Sequence, residues 1–376
     1  MPGTTEEQTE LGRTVRSVLE RESSPERVRE AMAGPRGYDE KLWSVLCEQV
    51  GVAALAVPER FDGFGAGVRE LQVVAEELGR QLAPGPLLGS ATLATLALLA
   101  SGDDEACERL LPPLASGGAL ATLAWTGEDG RWDPAEPALV AAPDGRHHRV
   151  TGTAHYVLDG DTAGTLLAIA ICDDGIGLFE VEHPGGLDSG VRREHTPGMD
   201  PGRRLATVAL DRAAATRLGN GDFGQALRGV RDAACAVLAA EQVGAAARAL
   251  EATVSYTSER VQFGRPIGSF QALKHRMADM HVLVESARSI SAAAGADIDA
   301  GVPEAEDTTL AARVYCSDTL SRVAGEMIQM HGGIAITAEH DAHLYFKRAH
   351  SSTQLFGQPH THLDRRLRAW WPPHQR

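Results

Sequence analysis

The spacing of apolar residues changes character twice along this chain, and those two changes restrict the fold more than any single motif. Up to about residue 117 the sequence is rich in Glu, Leu, Ala and Arg, with apolar positions three or four apart. LWSVLCEQVGVAAL (42–55) and VRELQVVAEELGRQLA (68–83) have the helical period, and the glycines and proline of VPERFDGFGAG separate them. From about 118 to 215 the runs shorten and several alternate, as in HRVTGTAHYVLDG, TLLAIAICD and RLATVALDRAAATRLG, with DG, PGG and PG turns between. That pattern predicts an antiparallel β domain closed as a sandwich or barrel. From about 216 to 376 long Ala-rich helical stretches return, which suit an antiparallel bundle because small residues permit close packing. The expected architecture is therefore α+β: an N-terminal helical domain (1–117), a central antiparallel β domain (118–215) and a C-terminal four-helix bundle (216–376).

Composition narrows the function. Lys plus Arg number 36 against 51 Asp plus Glu, a net charge of −15, and a surface of that sign repels a phosphate backbone. Nucleic acid is excluded as a general partner. The five cysteines (Cys47, Cys107, Cys172, Cys235, Cys316) are far apart, with no CxxC pair and no metal-ligand spacing, which points to a reducing compartment. The N-terminal stretch is polar, and no uninterrupted apolar run approaches the roughly 20 residues of a membrane span. A cytoplasmic protein with no membrane contact is expected.

Two blocks carry a resemblance. ERVQFGRPIGSFQALKHRMADM (259–280) and QMHGGIAITAEHDAHLYFKRA (329–349), at this separation and in this domain order, resemble the acyl-CoA dehydrogenase family of flavoproteins. VPERFDGFGAG and VVAEELGRQLAP are similar to the same family's N-terminal blocks. The resemblance implies FAD as cofactor, with Arg260, Gln262, Phe263 and Gln271 facing a flavin held mainly by a neighbouring subunit. A guanidinium fork suits a pyrophosphate. Gln329, Gly332 and Gly333 match the block that meets the adenosine end, where glycine lets backbone approach a ligand. In the β domain Thr126, Tyr156, Val157 and Leu158 stand at the isoalloxazine-contacting positions, although the acidic residue, proline and serine of the family's threonine block are absent.

The family reaction removes a proton from the α carbon of an acyl thioester and passes the β hydrogen to flavin as hydride. The proton needs a positioned carboxylate base. The two places where the family keeps a glutamate read Phe356, in SSTQLFGQPH, and Ala234, and neither accepts a proton. Glu241 and Asp232, on the same helix as Ala234, are candidates for a substitute base, as are His360 and His362 after Phe356, and a solvated or paired role is the simpler reading of each. The chain is thus similar to actinobacterial subunits that lack the base and work beside a glutamate-bearing subunit. The resemblance implies the base-lacking subunit of a heteromeric, FAD-dependent acyl-CoA dehydrogenase, with an acyl thioester as substrate and electron-transfer flavoprotein as acceptor. Two alternatives stay open: a repurposed flavoenzyme acting on a thioester or carrier-protein-bound substrate, and a non-catalytic scaffold for a related subunit.

Overall fold

The computed structural model describes residues 5–182 and 189–370. Six helices come first: α1 (Glu6–Glu22), α2 (Pro25–Ala33), α3 (Glu40–Val50), α4 (Val68–Gln81), α5 (Thr95–Ser101) and α6 (Asp104–Ala115). Local chemistry fixes their starts. Thr5 and Gln8 close a capping box on α1, Ser24 caps α2 with Pro25 in its first turn, and Asp39 accepts from the first amides of α3. The first amides of α4 are capped from the far end of the chain, since Asp299 accepts from Val68 N (2.7 Å) and Arg69 N (3.1 Å). An eight-residue π-helix, Leu87–Ala94, runs directly into α5 and is buried throughout.

Seven strands follow: β1 (Ala121–Ala124), β2 (Leu139–Asp144), β3 (His147–Leu158), β4 (Thr165–Cys172), β5 (Gly175–Val181), β6 (Val191–His195) and β7 (Leu205–Leu218). Pairings β4–β5, β5–β7, β7–β3, β3–β2 and β2–β4 close a ring, so the domain is a barrel. Closure removes sheet edges that would otherwise template association. The antiparallel expectation describes five of the seven pairings; β1 and β2 run parallel to β4, a detail that alternation along single strands does not reveal.

The remainder is helical: α7 (Gly224–Glu259), a short hairpin of β8 (Val261–Gln262) and β9 (Arg265–Pro266), then α8 (Gln271–Ala300), α9 (Ala305–His331), α10 (Ala342–Gln354) and α11 (Pro359–Trp370). Helix α7 contains an 18-residue window apolar enough to cross a membrane by length and composition, although charged residues interrupt the helix. That window is 94% buried, so its apolarity is satisfied by packing. Helix α7 crosses α4 with backbones almost touching. A Cβ on Gly244 would lie 1.9 Å from Glu76 O, and one on Gly79 would lie 2.1 Å from Glu241 O. The paired glycines draw the N-terminal helices onto the bundle, and the barrel packs beside both.

Candidate functional site

A cavity of about 660 Å³ opens between the barrel and the bundle. From the barrel side it is walled by Gly130, Trp132, Tyr156 and Leu205, and from the bundle side by His350, Gln354 and Leu355. The backbone is unusual here. Eight described non-glycine residues have positive φ; two of them (Trp132 at 54°, Tyr156 at 55°) line this cavity, and a third, Phe356 at 61°, follows the lining residue Leu355. Such conformations cost free energy and persist where the surroundings enforce them. For Tyr156 the enforcer is an irregularity in the β3–β7 ladder between Ala154 and Val157. It swings the ring outward, and Tyr156 Oη donates to Glu128 O at 3.1 Å.

Behind the lining residue Trp132 lies a run of buried aromatic rings. Phe356 is fully buried, its ring 5.2 Å edge-on from Trp132, which stands 4.8 Å edge-on from Trp125. This geometry is favoured beyond the area it buries. Thr126 supports the arrangement from below, accepting Trp132 N at 3.1 Å. The same buried cluster includes Ala233, Ala234 and Val237 of α7.

Among the described residues one carboxylate, Asp129, lines the cavity, and it is paired with Arg131 at 3.0 Å. Glu241 is buried and clasped by Arg203 Nη2 (2.5 Å) and Arg348 Nη1 (3.0 Å), while Arg348 Nε also reaches Asp200 at 2.6 Å. Burial alone pushes the Glu241 carboxyl up, but the charges of Arg203 and Arg348 outweigh it and hold the group below its ordinary value. Its charge is committed to these two arginines, and it does not line the cavity. Asp232 accepts from Arg231 Nη2 at 2.8 Å and faces a small space shared with Thr309 and Arg313, away from the large cavity. His360 lines the large cavity, whereas His362 is buried and donates from Nε2 to Phe356 O at 2.8 Å.

Comparison with known proteins now decides the family. Residues 5–118 match the family described as Acyl-CoA dehydrogenase, N-terminal domain, and residues 232–369 match Acyl-CoA dehydrogenase, C-terminal domain. The chain is 42% identical over 365 residues to acyl-CoA dehydrogenase IpdE2 of Mycolicibacterium smegmatis, covering 97% of this chain and 98% of that protein. The chain belongs to the acyl-CoA dehydrogenase family. Among solved structures it is similar to a chain of the ChsE4–ChsE5 complex from Mycobacterium tuberculosis, with TM-score 0.90, 30% identity and 99% of each chain covered. It is also similar to a chain of the Tcur3481–Tcur3483 steroid ACAD (TM-score 0.86, 32% identity, 96% of each chain covered). Members of the family are oxidoreductases and FAD flavoproteins.

The residues that carried the resemblance separate into two groups. Phe263 and Gly264 form the two-residue tip of the β8–β9 hairpin with φ of 53° and 74°, the primed turn that matches strand twist. Arg265 stacks over Phe270 at 4.0 Å and holds the hairpin against the start of α8, where Gln271 is the first residue. Arg260, Gln262, Phe263, Gln271, Gln329, Gly332 and Gly333 are all exposed, and none lines the cavity. A Cβ on Gly332 or Gly333 would meet nothing within 4 Å, so the backbone there faces open space.

The second group lies in the barrel. Tyr156 reaches the cavity; Val157 is buried in the barrel core, Leu158 in the cluster shared with the N-terminal helices, and Thr126 beneath Trp132. Only Tyr156 of these four presents its side chain to the cavity. Sequence reasoning passed over Trp132, His350 and Gln354, whose residue types carry no signal of their own. The strained turns that expose or bury them are visible only in three dimensions.

Proposed function

We propose that this chain is the base-lacking subunit of a heteromeric, FAD-dependent acyl-CoA dehydrogenase that introduces an α,β double bond into an acyl thioester. One observation carries the reading: Phe356 and Ala234 are sealed into an apolar cluster, while the residues matching the family's flavin contacts stand uncovered on the bundle. A chain that had lost the whole function would have no reason to keep an exposed Arg260 hairpin and a bare Gly332–Gly333 backbone. Among the described residues, ten of the fourteen exposed large hydrophobics lie in the helical C-terminal part (Val254, Val261, Phe263, Val282 and Ile336 among them), and a subunit contact would cover such a surface. Similarity to a chain of the ChsE4–ChsE5 complex supports a different protein, not only a second copy, as the neighbour.

The residues present fit the cofactor. The exposed guanidinium of Arg260 would pair with the pyrophosphate, Gly332 and Gly333 leave backbone accessible to the adenosine end, and Tyr156 offers a flat wall. The chemistry supplied by bound FAD would be acceptance of the substrate's β hydrogen as hydride. This chain's part is to bind and orient; proton removal falls to a glutamate of the partner. The acceptor of the electrons would be electron-transfer flavoprotein, and the compartment the cytoplasm.

The test is co-expression with glutamate-bearing family members, followed by a flavin spectrum and an acyl-thioester assay. A positioned base contributes about 10²–10⁴-fold, so the chain alone should turn over at least ~10²-fold more slowly than the mixed complex. Comparable turnover by a proven homo-oligomer would sink the reading and favour a repurposed flavoenzyme. A stable complex that never binds flavin would favour the scaffold.

A further inference from the structure

Arg313, on α9, is almost wholly buried, yet its partners are carbonyls and not carboxylates. Its Nη2 lies among four of them: Ser352 O (2.8 Å), Thr353 O (3.0 Å), Leu355 O (2.7 Å) and Gly357 O (3.2 Å). These belong to the last turn of α10 and the turn after it, where a helix gathers partial negative charge and favours a cation. Nη1 meets Ser317 Oγ one turn along α9, and Ser317 Oγ accepts from Gln242 Nε2 of α7 at 3.1 Å. With His362 bonded to Phe356 O, the carbonyls of residues 352, 353, 355, 356 and 357 are all engaged by side-chain donors from behind. The clamped segment holds Phe356 at φ 61° and Gly357 at φ 95°.

We infer that Arg313 is the positioning residue of the Phe356 turn: it fixes the main chain at the position the family gives to its base, and thereby seats the Phe356 ring against Trp132 and closes the inner chamber. The geometry argues for this because every Arg313 contact to the turn is to backbone. The clamp therefore works whatever side chain residue 356 carries, and in this chain it holds a plug. The inference deepens the proposed function, since Gln354 and Leu355 of the clamped segment wall the cavity. Its test needs no flavin and no partner, so it stands or falls apart from that reading.

The full chain is measured by amide hydrogen exchange and by the part of the tryptophan emission that Trp132→Phe removes. The Leu355 and Gly357 amides bond to Ser351 O (3.3 Å) and Gln354 O (3.2 Å) and report the turn directly. Arg313→Met should speed their exchange by at least about tenfold, the loss of one charge-assisted hydrogen bond, while α7 amides keep their protection. It should also reproduce the emission change of Phe356→Ala, with little further change in the double variant. Arg313→Lys should fall between, and it carries the test if Arg313→Met does not fold. Wild-type exchange at the turn in Arg313→Lys, or faster exchange spread evenly over all helices with the Trp132 emission unaltered, would overturn the inference.

Discussion

Two phenylalanines, Phe356 and Phe263, stand in two blocks of this chain that resemble the family, and their surroundings are opposite. Phe356 is 0% exposed, wedged against Trp132 on a turn held from behind; Phe263 is 89% exposed at the tip of a hairpin. Both have positive φ, so both cost the fold something. At Phe356 the cost is offset inside the chain, by burial and by the Arg313 and His362 bonds. At Phe263 the ring buries little: it meets Phe270 at 6.1 Å and otherwise faces solvent. One site is finished within the chain and the other is not, and on the proposed function that difference separates a filled position from one that a neighbour would cover.

The largest effect expected on the finished side is on stability. Phe356→Ala removes a fully buried ring from a close-packed cluster, and such truncations cost about 3–5 kcal/mol. Chemical denaturation of the purified chain measures it directly. A cost under about 1 kcal/mol would mean that the chamber collapses around the gap or was never closed, and the contrast would lose one arm.

The buried side also holds a carboxyl out of place. Asp159 is buried, with its own φ at 54° and no room beside Gly89, whose added Cβ would lie 2.6 Å from Asp159 Oδ2. Burial pushes its pKa from 3.8 up to about 7, with Asp161 adding to the rise and Arg203 and Arg204 opposing it. The folded state therefore prefers the protonated form, and stability falls as pH rises from about 4 toward 7. At 1.36 kcal/mol per unit the full difference is at most about 4 kcal/mol above pH 7. Asp159→Asn should leave stability near pH 4 almost unchanged and raise it at pH 8. Equal shifts at both pH values would show that the group does not titrate in this window.

How much of this was legible in the sequence follows from which contacts are local. Helix, barrel, helix could be read because periods of 3.6 and 2 are properties of consecutive residues. Arg260 and Gly332–Gly333 could be singled out because their chemistry belongs to the residue type. The pairing of Glu241 could not be named in advance, since its partners, Arg203 and Arg348, are 38 and 107 positions away. Arg313 was invisible for the same reason: in AARVYC it reads as an ordinary helical cation, and its four carbonyls come from residues about forty positions later. Val157 and Leu158 cannot both face one ligand with their side chains, as alternation along a strand already requires.

On the unfinished side the expected effects are smaller and appear in binding. Arg260→Ala removes a guanidinium that is exposed in the free chain, so the stability of the chain alone should stay within about 0.5 kcal/mol of wild type. In the co-expressed complex the same change should weaken FAD retention, because a hydrogen bond to a charged group contributes roughly 1.5–3 kcal/mol. Titration of apo-complex with FAD, followed by flavin fluorescence, measures the shift. Unchanged affinity would detach Arg260 from the cofactor.

The smallest folding effect and the sharpest contrast belong to Phe263→Ala. With the ring almost entirely in solvent, truncation should change the stability of the isolated chain by no more than about 0.5 kcal/mol, well below the cost at Phe356. Relaxing a strained φ is not open to alanine any more than to phenylalanine, so the backbone contribution cancels between the two. What should change is assembly. An aromatic side chain presented on a fixed two-residue turn is a natural anchor for a pocket on a partner, and anchors of this kind commonly cost 2 kcal/mol or more when truncated, roughly thirtyfold in affinity. Analytical ultracentrifugation of the variant with its glutamate-bearing partner reads that directly. If Phe263→Ala destabilises the lone chain as much as Phe356→Ala does, the hairpin is part of the subunit's own core and the two sites are alike after all. If neither stability nor assembly moves, the exposed hairpin serves no neighbour, and the division between a finished and an unfinished site has to be drawn elsewhere on the bundle.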